Sequence, residues 1–142
     1  MQTAIESGSR AFPVMMGVRV LLLSEAEGGQ TASRLAGCGS HVDLEDGLDS
    51  ALSRLSRDPI GYDLFVMDCD GFGGVSGGVH AVSSLIAAEA KMRVMLVSRE
   101  FDAPALPFGQ RAAVCLPAAV GDEEFRKGYE HVLRDRVRTP IM

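Results

Sequence analysis

At 142 residues the chain has the length for one domain with a buried core. Its 46% hydrophobic and 23% charged residues match an ordinary globular protein, and its net charge of −5 argues against a nucleic-acid surface, which needs a surplus of Lys and Arg. Cys38, Cys69 and Cys115 form no Cys-x-x-Cys pair and are odd in number, so a reducing, cytoplasmic setting is expected.

The apolar stretch AFPVMMGVRVLLL is interrupted by Arg19, Glu6 stands where a signal peptide carries positive charge, and no long uncharged span follows. Neither a leader nor a membrane segment is therefore expected. Residues 1–16 read as an extension, 17–138 as one domain and 139–142 as a tail. Within the domain, Val18–Leu23 is a nearly continuous apolar run, as in a strand buried on both faces of a parallel sheet. A short helix over Gln30–Ala36 follows, stopped by Gly37 and Gly39, and Ser40–Asp46 reads as an outer strand. Leu48, Ala51, Leu52 and Leu55 recur at i, i+3, i+4 and i+7, the stripe of an amphipathic helix ended before Pro59.

DLFVMD (Asp63–Asp68) is the second buried strand, and the glycine-rich GFGGVSGG reads as a loop before a helix over Val79–Ala90. Arg93–Ser98 is another buried strand. Pro104 and Pro107 require any helix in the next stretch to be short or distorted. Ala112–Pro117 reads as the last strand and Asp122–Arg136 as the last helix, with Asp122 as its N-cap and Phe125, Tyr129, Val132 and Leu133 as its apolar stripe. Alternation of buried strands and amphipathic helices implies a parallel sheet covered on both faces, with function in the crevice beyond the strands' carboxyl ends.

That rule collects Ser24, Glu25 and Glu27 after the first strand, Asp68 and Asp70 after the third, Ser98 after the fourth and Leu116-Pro117 at the fifth. Two carboxylates with nearby carbonyls form a hard-oxygen site suited to Mg²⁺, which would relieve their mutual repulsion. Each residue also has a plainer reading. Asp68 can simply turn the chain at a strand end, and Glu25 and Asp70 can be solvated loop acids. His41, His80 and His131 have no partners at ligand spacing. Cys69 alternates away from Asp68, and Cys115 reads as core.

VLLLSEAE, YDLFVMDCDGFGG, VMLVSRE and AVCLPA together resemble the response-regulator receiver family over residues 18–136. The resemblance implies a flavodoxin-like, doubly wound (βα)5 three-layer sandwich with a parallel five-stranded sheet of order 2-1-3-4-5. It implies Asp68 as the acceptor of a phosphoryl group from a histidine kinase or phosphotransfer protein. Glu25 and Asp68 would ligate Mg²⁺ with the backbone carbonyl of Asp70, and Ser98 would be the hydroxyl that follows the phosphoryl group.

The departures are specific. Ser24 replaces the first acid of the family's pair, Leu116 stands at the family's lysine, and Ala113 stands at its switch aromatic. An apolar side chain at 116 offers phosphoryl oxygens neither charge nor donor. The resemblance therefore implies an atypical, stand-alone receiver, a signalling module and not a metabolic enzyme, with output to a downstream protein or a homodimer through Ala103–Pro117 and Asp122–Arg136. The alternative is a pseudo-receiver that is never phosphorylated and serves as an interaction module. Nucleotide binding ranks lower, since the glycine loop fits neither G-x-G-x-x-G nor the P-loop.

Overall fold

Four apolar runs and the more polar HVDLE segment form five strands: β1 Arg19–Leu23, β2 His41–Glu45, β3 Leu64–Asp68, β4 Arg93–Ser98 and β5 Val114–Pro117. The pairings between these five strands are parallel and the order is β2-β1-β3-β4-β5, the arrangement the receiver resemblance implies. Among the described residues the helices are α1 Gly29–Gly37, α2 Leu48–Arg57, α3 Gly74–Ala87 and α4 Asp122–Arg138, with a 3-10 turn at Cys69–Phe72. The computed structural model describes residues 17–25, 29–58, 60–87, 93–107 and 113–138. The expected extension 1–16, the tail 139–142 and Glu27 lie outside the described residues.

Alternation along the strands sorts the core into two layers. Val20, Leu22, Leu64, Val66, Met95, Val97, Val114 and Leu116 face one side, where Leu35 of α1 and Phe125, Tyr129, Val132 and Leu133 of α4 cover them. Leu21, Leu23, Phe65, Met67, Val94 and Leu96 face the other, covered by Ala51 and Leu55 of α2 and Ala81 and Leu85 of α3. Both faces of β1, β3 and β4 are therefore dry, which is why these strands read as unbroken apolar runs. Arg34 ties α1 to the start of α4, donating to Val120 O at 2.6 Å and to Asp122 Oδ1 at 3.1 Å.

Two helix starts differ from the sequence reading. α3 begins at Gly74, inside the run expected to be a loop, because the 3-10 turn hands the chain into the helix through Gly73 and Gly74 at φ of 93° and 71°. Asp122 is the first helical residue and not the cap: Gly121 O accepts the Phe125 N–H, and the Asp122 carboxylate pairs with Arg34. Between β4 and β5 the described residues contain no helix; Ala105 instead forms an antiparallel bridge with Cys115, and His131 Nε2 meets Pro107 O at 2.8 Å. No helix among the described residues is long and apolar enough to cross a membrane.

Candidate functional site at the carboxyl edge of the sheet

Chain order reverses at β1 and β3, so the crevice opens beyond their carboxyl ends. Leu23 pairs with Met67, which makes Ser24 and Asp68 the next residues along the two strands. Asp68 pairs with Val97, and Val97 with Leu116. Asp68, Val97 and Leu116 thus form one row across three strands, and the latter two belong to the core layer beneath α1 and α4.

Asp68 is engaged from α1. The Thr31 hydroxyl donates to Asp68 Oδ1 at 2.8 Å. Burial pushes the Asp68 carboxyl above the ordinary carboxylate range, the neighbouring Ser24 hydroxyl, whose own hydrogen bond goes to Glu25 O at 3.0 Å, and the Thr31 hydrogen bond pull it back, and the Asp70 charge adds to the rise. Burial is the largest of these effects. Thr31 itself is buried on the inner face of α1 with Leu35, four residues on.

Asp70 and Ser98 form a separate pair. Ser98 is fully buried, and its hydroxyl donates to Asp70 Oδ1 at 2.7 Å while accepting the Glu100 N–H at 3.0 Å. The Arg99 N–H donates to Asp70 Oδ2 at 3.0 Å. Both Asp70 oxygens are occupied, and the one hydroxyl hydrogen of Ser98 points to Asp70.

The glycines of the 69–74 turn admit two acids. Glu25 lies across Gly71, where a Cβ would come within 2.6 Å of the Glu25 side chain. The Glu100 carboxylate occupies the space over Gly74 that a Cβ would need, at the start of α3. A helix N-terminus that cradles phosphate needs that position open to an anion, and a resident carboxylate repels one. The glycine run serves packing.

Glu25, Asp68, Asp70 and Ser98 all lie at the edge where the sequence reading puts them. Among the described residues, however, no three His, Cys, Asp or Glu side chains are grouped so as to hold a metal ion. The Asp70 carboxylate is spent on Ser98 and Arg99, so what Asp70 has left for a Mg²⁺ ion beside Glu25 and Asp68 is its backbone carbonyl, the part the receiver resemblance implies for it.

No family model matches the sequence, and no curated protein matches it. Solved structures do. The N-terminal domain of a response regulator/sensory box/GGDEF three-domain protein from Carboxydothermus hydrogenoformans superposes with a TM-score of 0.65 at 19% identity, over 87% of this chain and 99% of that one. A response regulator receiver protein from Burkholderia phymatum gives 0.59 at 23% identity, over 82% and 94%. The receiver domain of a sensor histidine kinase from Pseudomonas aeruginosa, with a magnesium ion in its active-site cleft, gives 0.61 at 19%, over 82% and 98%. The fold is that of a receiver domain.

Within this receiver fold, Leu116 is fully buried and packs under α4, where Gly128 lets the helix approach: a Cβ at Gly128 would stand 3.0 Å from Leu116 Cδ1. Ala113 packs against the opposite core layer together with Phe101 from the β4–β5 connection. Cys69 is fully buried away from Asp68, and burial pushes its thiol up to about 12. Cys115, expected in the core, is only partly buried, because β5 is an edge strand. Thr31 was not a sequence candidate. The signal that marks it is a polar residue in step with Leu35 on the buried side of a helix.

Proposed function

We propose that this receiver-fold chain is a signalling module that acts through protein contacts, with Asp68 kept as a buried, hydrogen-bonded acid and not used as a phosphorylation switch. One observation carries the reading: the row beside Asp68 is Val97 and then Leu116. A phosphoryl group on Asp68 would add about two negative charges at neutral pH. Stabilising that charge in a partly buried site requires aimed cations or donors. Here the row supplies methyl groups, and the Ser98 hydroxyl is committed elsewhere.

Acetyl phosphate labelling of the full chain with excess Mg²⁺ tests this. The expected result is no phosphoprotein, with Asp68→Asn indistinguishable from wild type. Near-stoichiometric label lost in Asp68→Asn would overturn it.

A second reading is favoured by the place of Asp68 at the carboxyl end of β3, facing the switch-point crevice. In it, a histidine kinase or phosphotransfer protein gives Asp68 a phosphoryl group, with Mg²⁺ held by Glu25, Asp68 and the Asp70 backbone. Output then goes to a downstream protein or a homodimer through the β4–β5 connection, β5 and α4. The same labelling experiment separates the two readings.

A further inference from the structure

The end of β4 presents a pair of donors aimed at a single anion. Ser98 Oγ–H and Arg99 N–H, from adjacent residues, meet the two oxygens of the Asp70 carboxylate at 2.7 and 3.0 Å. The hydroxyl accepts the Glu100 N–H at 3.0 Å, and its one hydrogen goes to Asp70. Arg99 Nε adds a charge at 4.0 Å from the same carboxylate. Converging neutral donors with a cation at the rim form an oxyanion cradle, and hydrogen bonds to an ionised acceptor are the strong kind.

We infer that the end of β4 is an oxyanion-binding site that the chain fills with its own Asp70, tying the turn after β3 to the first residues beyond β4 whatever the state of Asp68. The inference rests on the proposed reading only in taking Ser98 as unavailable to Asp68. The two acids do not compete evenly for that hydroxyl. Asp68 is turned toward α1 and Thr31, whereas Asp70 is carried by the 3-10 turn across to β4. The carboxylate joins the end of β3 to the end of β4 without any external ligand. Two donors with this spacing also fit two oxygens of a phosphate, so vacating Asp70 exposes a site for a small inorganic oxyanion.

The test follows the Arg99 amide by NMR in the full chain. In wild type it is protected from hydrogen exchange and does not respond to inorganic phosphate. In Asp70→Ala it shifts upfield and exchanges at least about tenfold faster, as expected for losing one charged hydrogen bond. Added inorganic phosphate then restores both the shift and the protection, and adding Ser98→Ala to that variant abolishes the rescue. An Arg99 amide unchanged in Asp70→Ala would overturn the inference, as would the absence of phosphate rescue in a folded Asp70→Ala protein. Should Asp70→Ala fail to fold, Asp70→Asn keeps the side chain's size and removes its charge. Exchange between the wild-type and unprotected limits is expected there, and wild-type exchange would overturn the inference. Labelling at Asp68 would sink the proposed function and leave these outcomes untouched.

Discussion

The Thr31 hydroxyl and the Asp68 carboxylate, 37 residues apart, meet at 2.8 Å and join α1 to the tip of the central strand β3. Thr31 is buried, so its hydroxyl does for Asp68 what water does for an exposed acid. Thr31→Val keeps the side chain's shape and removes the donor. The carboxylate then keeps its burial with one hydrogen bond fewer, and its pKa rises further. We expect a loss of about 1 kcal/mol in urea unfolding at pH 7. The specific readout is the Asp68 carboxyl ¹³C titration, which should move upward. An unmoved titration would show that Thr31 contributes nothing to the ionised form.

Asp68 also makes a prediction about pH, with a definite sign. Its folded-state pKa lies above the ordinary value, chiefly through burial. Its contribution to stability is therefore full below the unfolded value and lost as pH rises through the folded one. At neutral pH the ionised form costs stability. Asp68→Asn retains an oxygen for the Thr31 hydroxyl and carries no charge. Thermal melts should give it a higher midpoint than wild type at pH 7, with the gap closing as pH falls to the ordinary carboxylate range. A lower midpoint for Asp68→Asn at pH 7 contradicts this account.

The residues also show which parts of the molecule could be read in advance. β1, β3 and β4 are buried on both faces, so each appears as an apolar run, and Leu116, apolar in the sequence, takes a fully buried place on β5. Pro104 and Pro107 correctly limit the helix content of the fourth crossover, whose described residues hold an antiparallel bridge. The Ser98–Asp70 pair was out of reach because it depends on the direction in which the 3-10 turn throws residue 70. Glycines that look like a loop in sequence start α3, since their role is to admit the turn and the Glu100 side chain.

Away from the crevice, Asp43 on β2 gathers an unusual set of partners. Tyr62 Oη donates to its Oδ2 at 2.6 Å, Arg19 stands at 3.3 Å, His41 at 3.5 Å and Arg54 at 3.7 Å. The Tyr62 hydrogen bond, helped by the charges of His41, Arg19 and Arg54, holds the Asp43 carboxyl below its ordinary pKa. A depressed folded value means stability that is present above the unfolded value and lost as pH falls through the folded one. Tyr62→Phe removes the largest cause. We expect a loss of about 1 kcal/mol at pH 7, reduced because the pair is partly exposed. Equilibrium unfolding should show the difference shrinking in acid; a difference independent of pH would mean that Tyr62 acts through packing alone.

The row Asp68–Val97–Leu116 permits a test of electrostatic coupling across the sheet. Leu116→Lys puts an ammonium where a leucine has no exposure, under α4 and two strands from Asp68. Removing a packed leucine and burying a charge should together cost about 3 kcal/mol or more. The lysine stem is long enough to extend along the row, and Asp68 is the acid that the row offers it. Pairing would return part of the cost and would pull the Asp68 carboxyl down from its raised value. In the Asp68→Asn background the same lysine has no anion to meet. Asp68→Asn, predicted to stabilise the wild-type chain at pH 7, should therefore destabilise the Leu116→Lys chain. That reversal is a coupling of at least about 1 kcal/mol in a double-mutant cycle. Additive effects would show that residue 116 does not reach the crevice, and that a lysine there cannot serve Asp68.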